Sequence, residues 1–246
     1  MQSNSLLLVI IGLLIGFIGG FLLANTLNRS ELNARLAEIA PANTAVKNQV
    51  GAMGEPPLTD AEIRSKIGEA DKNPTNFGFQ KDLGLALYRF AAMKQDIDIL
   101  AEAARILERA SSINPKDFDV LVSLGNAHFD IGFYRKDARS FETARQIYAK
   151  ALVLKSGDPD VSTDLGLTYF LQDPPAYDRA ERELQKVIAN NPQHERSLQF
   201  LVQTLVKQGR VADAEKALAR LKGINSANPA ISDLTSQVSA ARVPVQ

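Results

Sequence analysis

The chain of 246 residues contains no cysteine and only two histidines, His128 and His194. The missing cysteines exclude disulfides, thiolate metal sites and cysteine nucleophiles, and two histidines are too few for a multi-histidine metal centre. An excess of one charge is also absent, because 28 Lys and Arg balance 28 Asp and Glu. A general nucleic-acid-binding protein normally has a basic excess. The composition therefore favours no metal, no cofactor and no nucleic-acid partner.

Catalytic motifs are missing as well. The sequence has no phosphate-binding GxxxxGK loop, no HExxH and no GxSxG. Residues 158–162 resemble a calcium loop only weakly, since Thr163 stands where the loop needs glycine, so we interpret them as a turn and helix cap. We expect His128 to be a packed or hydrogen-bonded core residue, His194 to be solvated in a turn, and the charges of 181–183 to be exposed. The sequence thus predicts a protein that is not an enzyme.

The first 28 residues carry no charged side chain, and Leu6 to Ala24 are all apolar or glycine. Nineteen such residues span roughly 28 Å as a helix, close to the thickness of a bilayer core, which predicts a retained transmembrane anchor in residues 1–28. A buried core helix and a cleaved signal peptide are the alternatives. Small residues at every fourth position (Gly12, Gly16, Gly20) share one helix face, which favours a homodimer through that face, although membrane helices are often rich in glycine.

Residues 29–40 continue with an amphipathic pattern (Leu32, Leu36, Ile39) and predict a short juxtamembrane helix that ends before Pro41. Residues 41–57 mix proline, glycine and small residues without periodicity, which is typical of a flexible linker. The only basic residues near the apolar run follow it, and by the positive-inside rule they place the large domain in the cytoplasm.

The rest of the chain repeats itself. Leu-Gly pairs at 83–84, 124–125 and 165–166 are 41 residues apart, and Leu201-Val202 follows 36 residues later. Each pair lies in a segment with helical periodicity, and a second periodic segment and a proline-containing turn follow it. The second segments share a pattern of Ala, then an apolar residue four later, then another small or apolar residue three later: Ala103-Leu107-Ala110, Ala144-Tyr148-Ala151, Ala180-Leu184-Val187 and Ala214-Leu218-Leu221.

This pattern resembles the tetratricopeptide repeat (TPR) family from about Thr75 to Ser226. The resemblance implies an all-α fold: a TPR-like α-solenoid of about four helix pairs over 58–229, behind the N-terminal transmembrane helix. A leading helix is predicted from the capping box of Thr59 and Glu62 to Lys72, and a C-terminal capping helix within 230–246. The first two repeats exceed 34 residues by seven, and we expect the extra residues between the paired helices, near 91–97 and 132–139.

The resemblance also implies a concave groove on the first helices. Its predicted apolar lining includes the aromatic residues that follow each glycine by four positions, and polar residues would add contacts. The predicted groove residues are Lys81, Leu85, Tyr88, Asn126, Phe129, Leu167, Phe170, Phe200, Gln203 and Lys207. The alternative is that this stripe packs between helices. The Lys and Asn pattern of chaperone-binding TPRs is broken at Leu85 and Ser123, which disfavours a chaperone-tail receptor.

The segments QIYAKALVLKSGDPDVSTDLGLTYF and LQKVIANNPQHERSLQFLVQTLVKQGRVADAEKAL are similar to the TPR subunits of bacterial cytochrome c maturation. That similarity implies a single-pass protein of the bacterial inner (plasma) membrane whose domain lies in the periplasm and holds client proteins for assembly. On this basis we expect the domain in the periplasm, against the charge rule. The predicted function is a membrane-tethered scaffold or adaptor that binds a protein or peptide partner. The alternative is a structural, self-assembling membrane scaffold without a client groove.

Overall fold

The computed structural model describes residues 59–242. Within this range the chain forms helices joined by short turns and contains no β-strand. The helices are α1 (Asp60–Lys72), α2 (Phe77–Lys94), α3 (Ile97–Ile113), α4 (Phe118–Arg135), α5 (Ala138–Leu154), α6 (Pro159–Leu171), α7 (Tyr177–Asn190), α8 (Glu195–Lys207), α9 (Val211–Ile224) and α10 (Ile231–Ala241).

The predictions for the N-terminal 58 residues lie outside the described residues. They are the anchor with its glycine face, the juxtamembrane helix 29–40 and the linker 41–57. The tail from residue 243 also lies outside them. Among residues 59–242, no helix is both long and apolar enough to cross a membrane.

Four antiparallel pairs build the solenoid: α2 with α3, α4 with α5, α6 with α7, and α8 with α9. These are the four repeats that the sequence predicts. The Ala-Leu-Ala columns of the second helices lie in the core, and Ala103, Leu107 and Ala110 are fully covered. Burial of such apolar surface is the main favourable contribution to folding.

The glycine of each Leu-Gly pair lies at the contact between paired helices. A Cβ atom on Gly125 would come within 2.5 Å of the Tyr148 ring. The glycine therefore lets α4 approach the largest fully buried side chain of α5.

The first two repeats are longer because their helices are longer. Helices α2 and α4 each have 18 residues and α3 and α5 each have 17, whereas α6 and α8 have 13 and α7 and α9 have 14. The expected insertions between paired helices near 91–97 and 132–139 are therefore wrong: these segments mostly continue the helices, and only two-residue turns remain. A residue in the left-handed conformation follows each of these two first helices, Gln95 after α2 at φ 58° and Lys136 after α4 at φ 52°.

Within residues 59–242, one helix precedes the four pairs and one follows them. At the start of α1, the predicted leading helix, the Thr59 hydroxyl and the Glu62 carboxylate accept each other's backbone N–H groups, so the predicted capping box is confirmed. Ile63 and Ala70 of α1 are buried, and Asp71 pairs with Arg105 of α3. At the other end, α10 packs on α8 and α9 through Leu234 and Val238, as the sequence predicts.

Candidate groove on the first helices

The predicted aromatic anchors of the groove are buried. Tyr88, Phe129 and Phe170 are only 4–6 % exposed. Phe129 packs edge-on against Phe141 of the paired helix, and the Tyr88 hydroxyl donates to the Asp130 carboxylate, 3.3 Å away on the next first helix. A residue four positions after the repeat glycine thus lies against the paired helix or the next repeat. The prediction that these rings form an open apolar surface is wrong, and the core-packing alternative describes them.

Two further predicted groove residues are also covered. Leu167 is fully buried and Phe200 is 3 % exposed, beneath the Arg196 guanidinium. Leu85 is different, since it is partly buried at the edge of the core. Only one of the predicted apolar groove residues is therefore available to a partner.

The predicted polar residues do reach the surface. Lys81 is half-buried and pairs with Asp117 at 2.7 Å and with the exposed Asp119 at 3.7 Å. The Asn126 carbonyl accepts from the Tyr148 hydroxyl at 2.7 Å. Gln203 is partly buried and Lys207 is exposed.

The partly exposed residues follow the repeat. They lie three positions before and one position after the repeat glycine, a strip that we call the groove edge. In the first two repeats it consists of Lys81, Leu85, Val122 and Asn126, all of them partly exposed. Sequence reasoning missed Val122, although its spacing of 41 residues from Lys81 was a usable signal.

The groove edge closes in the third repeat. Thr163 and Leu167 are both inaccessible, and Gln199 of the fourth repeat is 8 % exposed. Thr163 shares a 2.7 Å hydrogen bond with Ser197 of α8, and Asp164 binds Arg196 of the same helix. These bonds draw α8 over the strip on α6. Access is therefore concentrated in the first two repeats.

His194 has a structural role that the sequence analysis did not predict. It is the N-cap of α8: its Nδ1 accepts from the Ser197 backbone N–H, and its Nε2 lies 3.2 Å from Asp160 on α6. The expectation that His194 is merely solvated is wrong. Asn76, Asp117 and Asp158 hold the equivalent cap positions of α2, α4 and α6. Asp158 thus has the capping role that we assigned to it.

His128 and Glu181 both make structural contacts. His128 is mostly buried, with Nε2 3.2 Å from Glu108, as expected for a hydrogen-bonded core histidine. Glu181 is only 9 % exposed and accepts from Arg210 and Gln208 of the next repeat, which corrects the prediction of an exposed cluster at 181–183. The described residues contain no group of three side chains that could hold a metal ion.

Two groups that contact groove-edge residues, Tyr148 and Asp117, have shifted pKa values. Complete burial raises the pKa of the Tyr148 phenol well above its ordinary value, so it remains a donor to Asn126. Burial alone would raise the pKa of Asp117, but the Lys81 ammonium and the Val120 backbone N–H lower it further than burial raises it. The Lys81–Asp117 pair therefore stays ionised at neutral pH.

Comparison with known proteins agrees with this geometry. Residues 176–238 match the tetratricopeptide repeat model, and residues 69–166 match the model of the plant-specific mitochondrial import receptor subunit TOM20. No curated protein matches the chain.

Solved structures show the same fold. MamA matches with a TM-score of 0.54 at 20 % identity, over 68 % of this chain and 82 % of that one. PilW, a type IV pilus biogenesis factor, matches with a TM-score of 0.52 at 16 % identity, over 74 % and 82 %. A thermophilic TPR protein of Thermus thermophilus, TTC0263, matches with 0.51 at 17 % identity, over 74 % and 90 %. At such low identities the likeness concerns the fold alone.

Proposed function

We propose that this tetratricopeptide-repeat protein is a membrane-tethered adaptor that binds an extended segment of a partner protein along the groove edge. The observation that carries the proposal is the contrast in access: Lys81, Leu85, Val122 and Asn126 are partly exposed, while the equivalent residues of the third repeat are covered. Repeat scaffolds commonly bind partners on extended surfaces of this kind.

The chemistry of the groove edge suits a peptide rather than a small molecule. Leu85 and Val122 offer apolar contacts, and Asn126 uses its carbonyl for Tyr148 while keeping two amide N–H donors. Those donors match the main-chain carbonyl groups of an extended segment. Lys81 and the exposed Asp119 offer one charge of each sign, so the site suits a partner of mixed charge.

The tether is the apolar run of residues 6–24, with Gly12, Gly16 and Gly20 as a face on which two copies pair. Confinement to a membrane would raise the effective concentration of the adaptor near membrane partners. We place the chain in the bacterial inner membrane with its repeats in the periplasm. Alkaline phosphatase fused to the C-terminus should then be active, and an inactive but intact fusion would place the repeats in the cytoplasm.

A narrower form of the proposal is a role in cytochrome c maturation, supported by the resemblance of segments 146–170 and 184–218 to that family. It predicts binding of an apocytochrome tail. Lack of binding to such a tail would remove this form and leave the adaptor proposal in place.

The direct test is photocrosslinking in cells from a photoreactive amino acid at Val122, with Lys150 on an exposed position of α5 as the control site. We expect Val122 to capture a discrete partner segment that Lys150 does not capture. A synthetic peptide of that segment should bind the purified chain, and Asn126→Ala or Val122→Glu should weaken binding about tenfold.

Two results would contradict the adaptor. Equal capture from Val122 and Lys150 would mean that the groove edge has no specific partner. Capture only of other copies of the same chain would favour the structural, self-assembling scaffold.

A further inference from the structure

The outer face of α2 is an exposed helix stripe. It consists of Gly78, Asp82, Ala86, Arg89 and Met93, which are four, four, three and four residues apart and therefore share one side of the helix. All five are exposed, and Met93 has 71 % of its surface accessible. The groove edge lies outside this stripe.

The centre of the same stripe is covered in the later repeats. The residues equivalent to Ala86 are Ala127, Thr168 and Thr204, and each is completely inaccessible. In the second repeat, the preceding first helix lies alongside α4, because α2 contacts α4 and the Tyr88 hydroxyl donates to Asp130 there. Among residues 59–242, no first helix precedes α2, so its small central residue lacks the neighbour that the other repeats have.

The stripe is complementary to itself. When two copies of α2 cross antiparallel about the point between Leu85 and Ala86, Asp82 of one copy lies opposite Arg89 of the other. The same register places Met93 opposite Gly78, and Ala86 at the centre allows close approach. Neither Asp82 nor Arg89 has an ion-pair partner within the described part of the chain. An isologous contact would form the Asp82–Arg89 ion pair twice, once on each side of the two-fold axis.

We propose that the outer face of α2 binds the same face of a second copy of this chain. A segment upstream in the same chain is the competing occupant, but α1 has no apolar surface against which such a segment could pack. At the positions where the second helices have buried residues, α1 has the exposed Glu62, Lys66 and Glu69. The matching buried residues of α3 are Ala103, Leu107 and Ala110. The charge register selects a second copy, and one helix face makes a small, weak interface.

The absence of cysteine permits a direct test in the full-length chain. Ala86→Cys is compared with Ala149→Cys, a matched exposed alanine on α5, by treating cells with a short bismaleimide before lysis. We expect Ala86→Cys to give at least about fivefold more cross-linked dimer than Ala149→Cys. Equal yields would overturn the proposal. So would an Ala86→Cys thiol that is protected from a monofunctional maleimide yet forms no dimer, because that result would mean another occupant.

Charge exchange tests the register independently. In the Ala86→Cys background, Asp82→Arg places two positive charges opposite each other twice, and we expect the dimer yield to fall about tenfold. Arg89→Asp should have a similar effect, and combining both exchanges should restore the yield because the pairs re-form with reversed sign. Failure of the combined variant to recover, with its helical circular dichroism unchanged, would overturn the antiparallel contact.

Discussion

The two halves of the solenoid differ in the length of their first helices and in how much of the groove edge solvent can reach. Repeats one and two use first helices of 18 residues and leave the groove edge accessible, whereas repeats three and four use first helices of 13 residues and cover all of it except Gln203. The fold is common to both halves. The difference in access comes from which polar groups join successive first helices.

Those polar groups differ in burial. In the first half, Lys81 and Asp117 pair at the surface, with 23 % and 14 % of their side chains exposed. In the second half, Arg196 pairs with Asp164, with 10 % and 18 % of their side chains exposed, so it is the cation that is more buried there; the Arg196 Nε and Nη1 atoms find no acceptor among the described residues. A buried guanidinium depends on its carboxylate much more than an accessible ammonium does.

The largest expected effect is at that pair. Asp164→Ala removes the carboxylate and leaves the Arg196 charge buried, and we expect the free energy of unfolding to fall by about 3 kcal/mol. Lys81→Ala breaks the pair of the first half from the cation side, but Asp117 keeps the Val120 backbone N–H as a donor, so this change should cost only about 1 kcal/mol. Urea unfolding followed by circular dichroism measures both. Equal losses would mean that the two junctions are energetically alike.

The repeat glycines give the next contrast. A Cβ on Gly125 would meet the Tyr148 ring at 2.5 Å, while on Gly166 its nearest neighbour would be Glu183 Cβ at 3.4 Å. Gly125→Ala should therefore lower the free energy of unfolding by about 2 kcal/mol through overpacking. Gly166→Ala should raise it by about 0.5 kcal/mol, because alanine favours the helix. Thermal unfolding measures the signs, and two losses of similar size would contradict the contrast.

The fold could be predicted because the same sequence pattern occurs in successive repeats. Leu-Gly pairs, small residues on the second helices and prolines in the turns recur at equivalent positions, so chance agreement at one repeat carries little weight. Helix lengths could not be obtained in this way. Residues 91–95 are compatible with either a turn or one more helical turn, and only their packing decides between them.

The site was harder to predict because core residues and groove residues recur along the first helices with the same helical period. Tyr88 and Lys81 lie on the same first helix, and nothing local in the sequence says that the ring turns towards the next repeat while the ammonium reaches the surface. The role of His194 was accessible: its column holds Asn76, Asp117 and Asp158, all good N-caps. Alignment of the repeats would have identified it.

Loss of the His194 cap of α8 should have a smaller effect on the free energy of unfolding. His194→Ala removes the acceptor for the Ser197 backbone N–H and should cost about 1 kcal/mol, whereas His194→Asn keeps a side-chain acceptor there and should cost only a few tenths. Urea unfolding of the two variants separates a capping role from general packing. If both substitutions cost the same, the ring acts through packing and its contact with Asp160, and the cap contributes little.

The smallest effect is a change in the pH dependence of stability. Burial alone would raise the pKa of Asp117, but the Lys81 and backbone hydrogen bonds outweigh it and hold the native pKa below its ordinary 3.8. A carboxyl group with a depressed native pKa stabilises the fold above its unfolded pKa, and this contribution disappears as the pH falls through the native value.

Lys81→Met removes the main contact that lowers the pKa of Asp117, so stability should fall less steeply below about pH 4. Lys66→Met, which removes an exposed pair with Glu69, is the control and should keep the parent slope. If stability falls with equal slope as the pH falls in the parent and in both variants, the Lys81–Asp117 pair contributes nothing to the stability of the first two repeats.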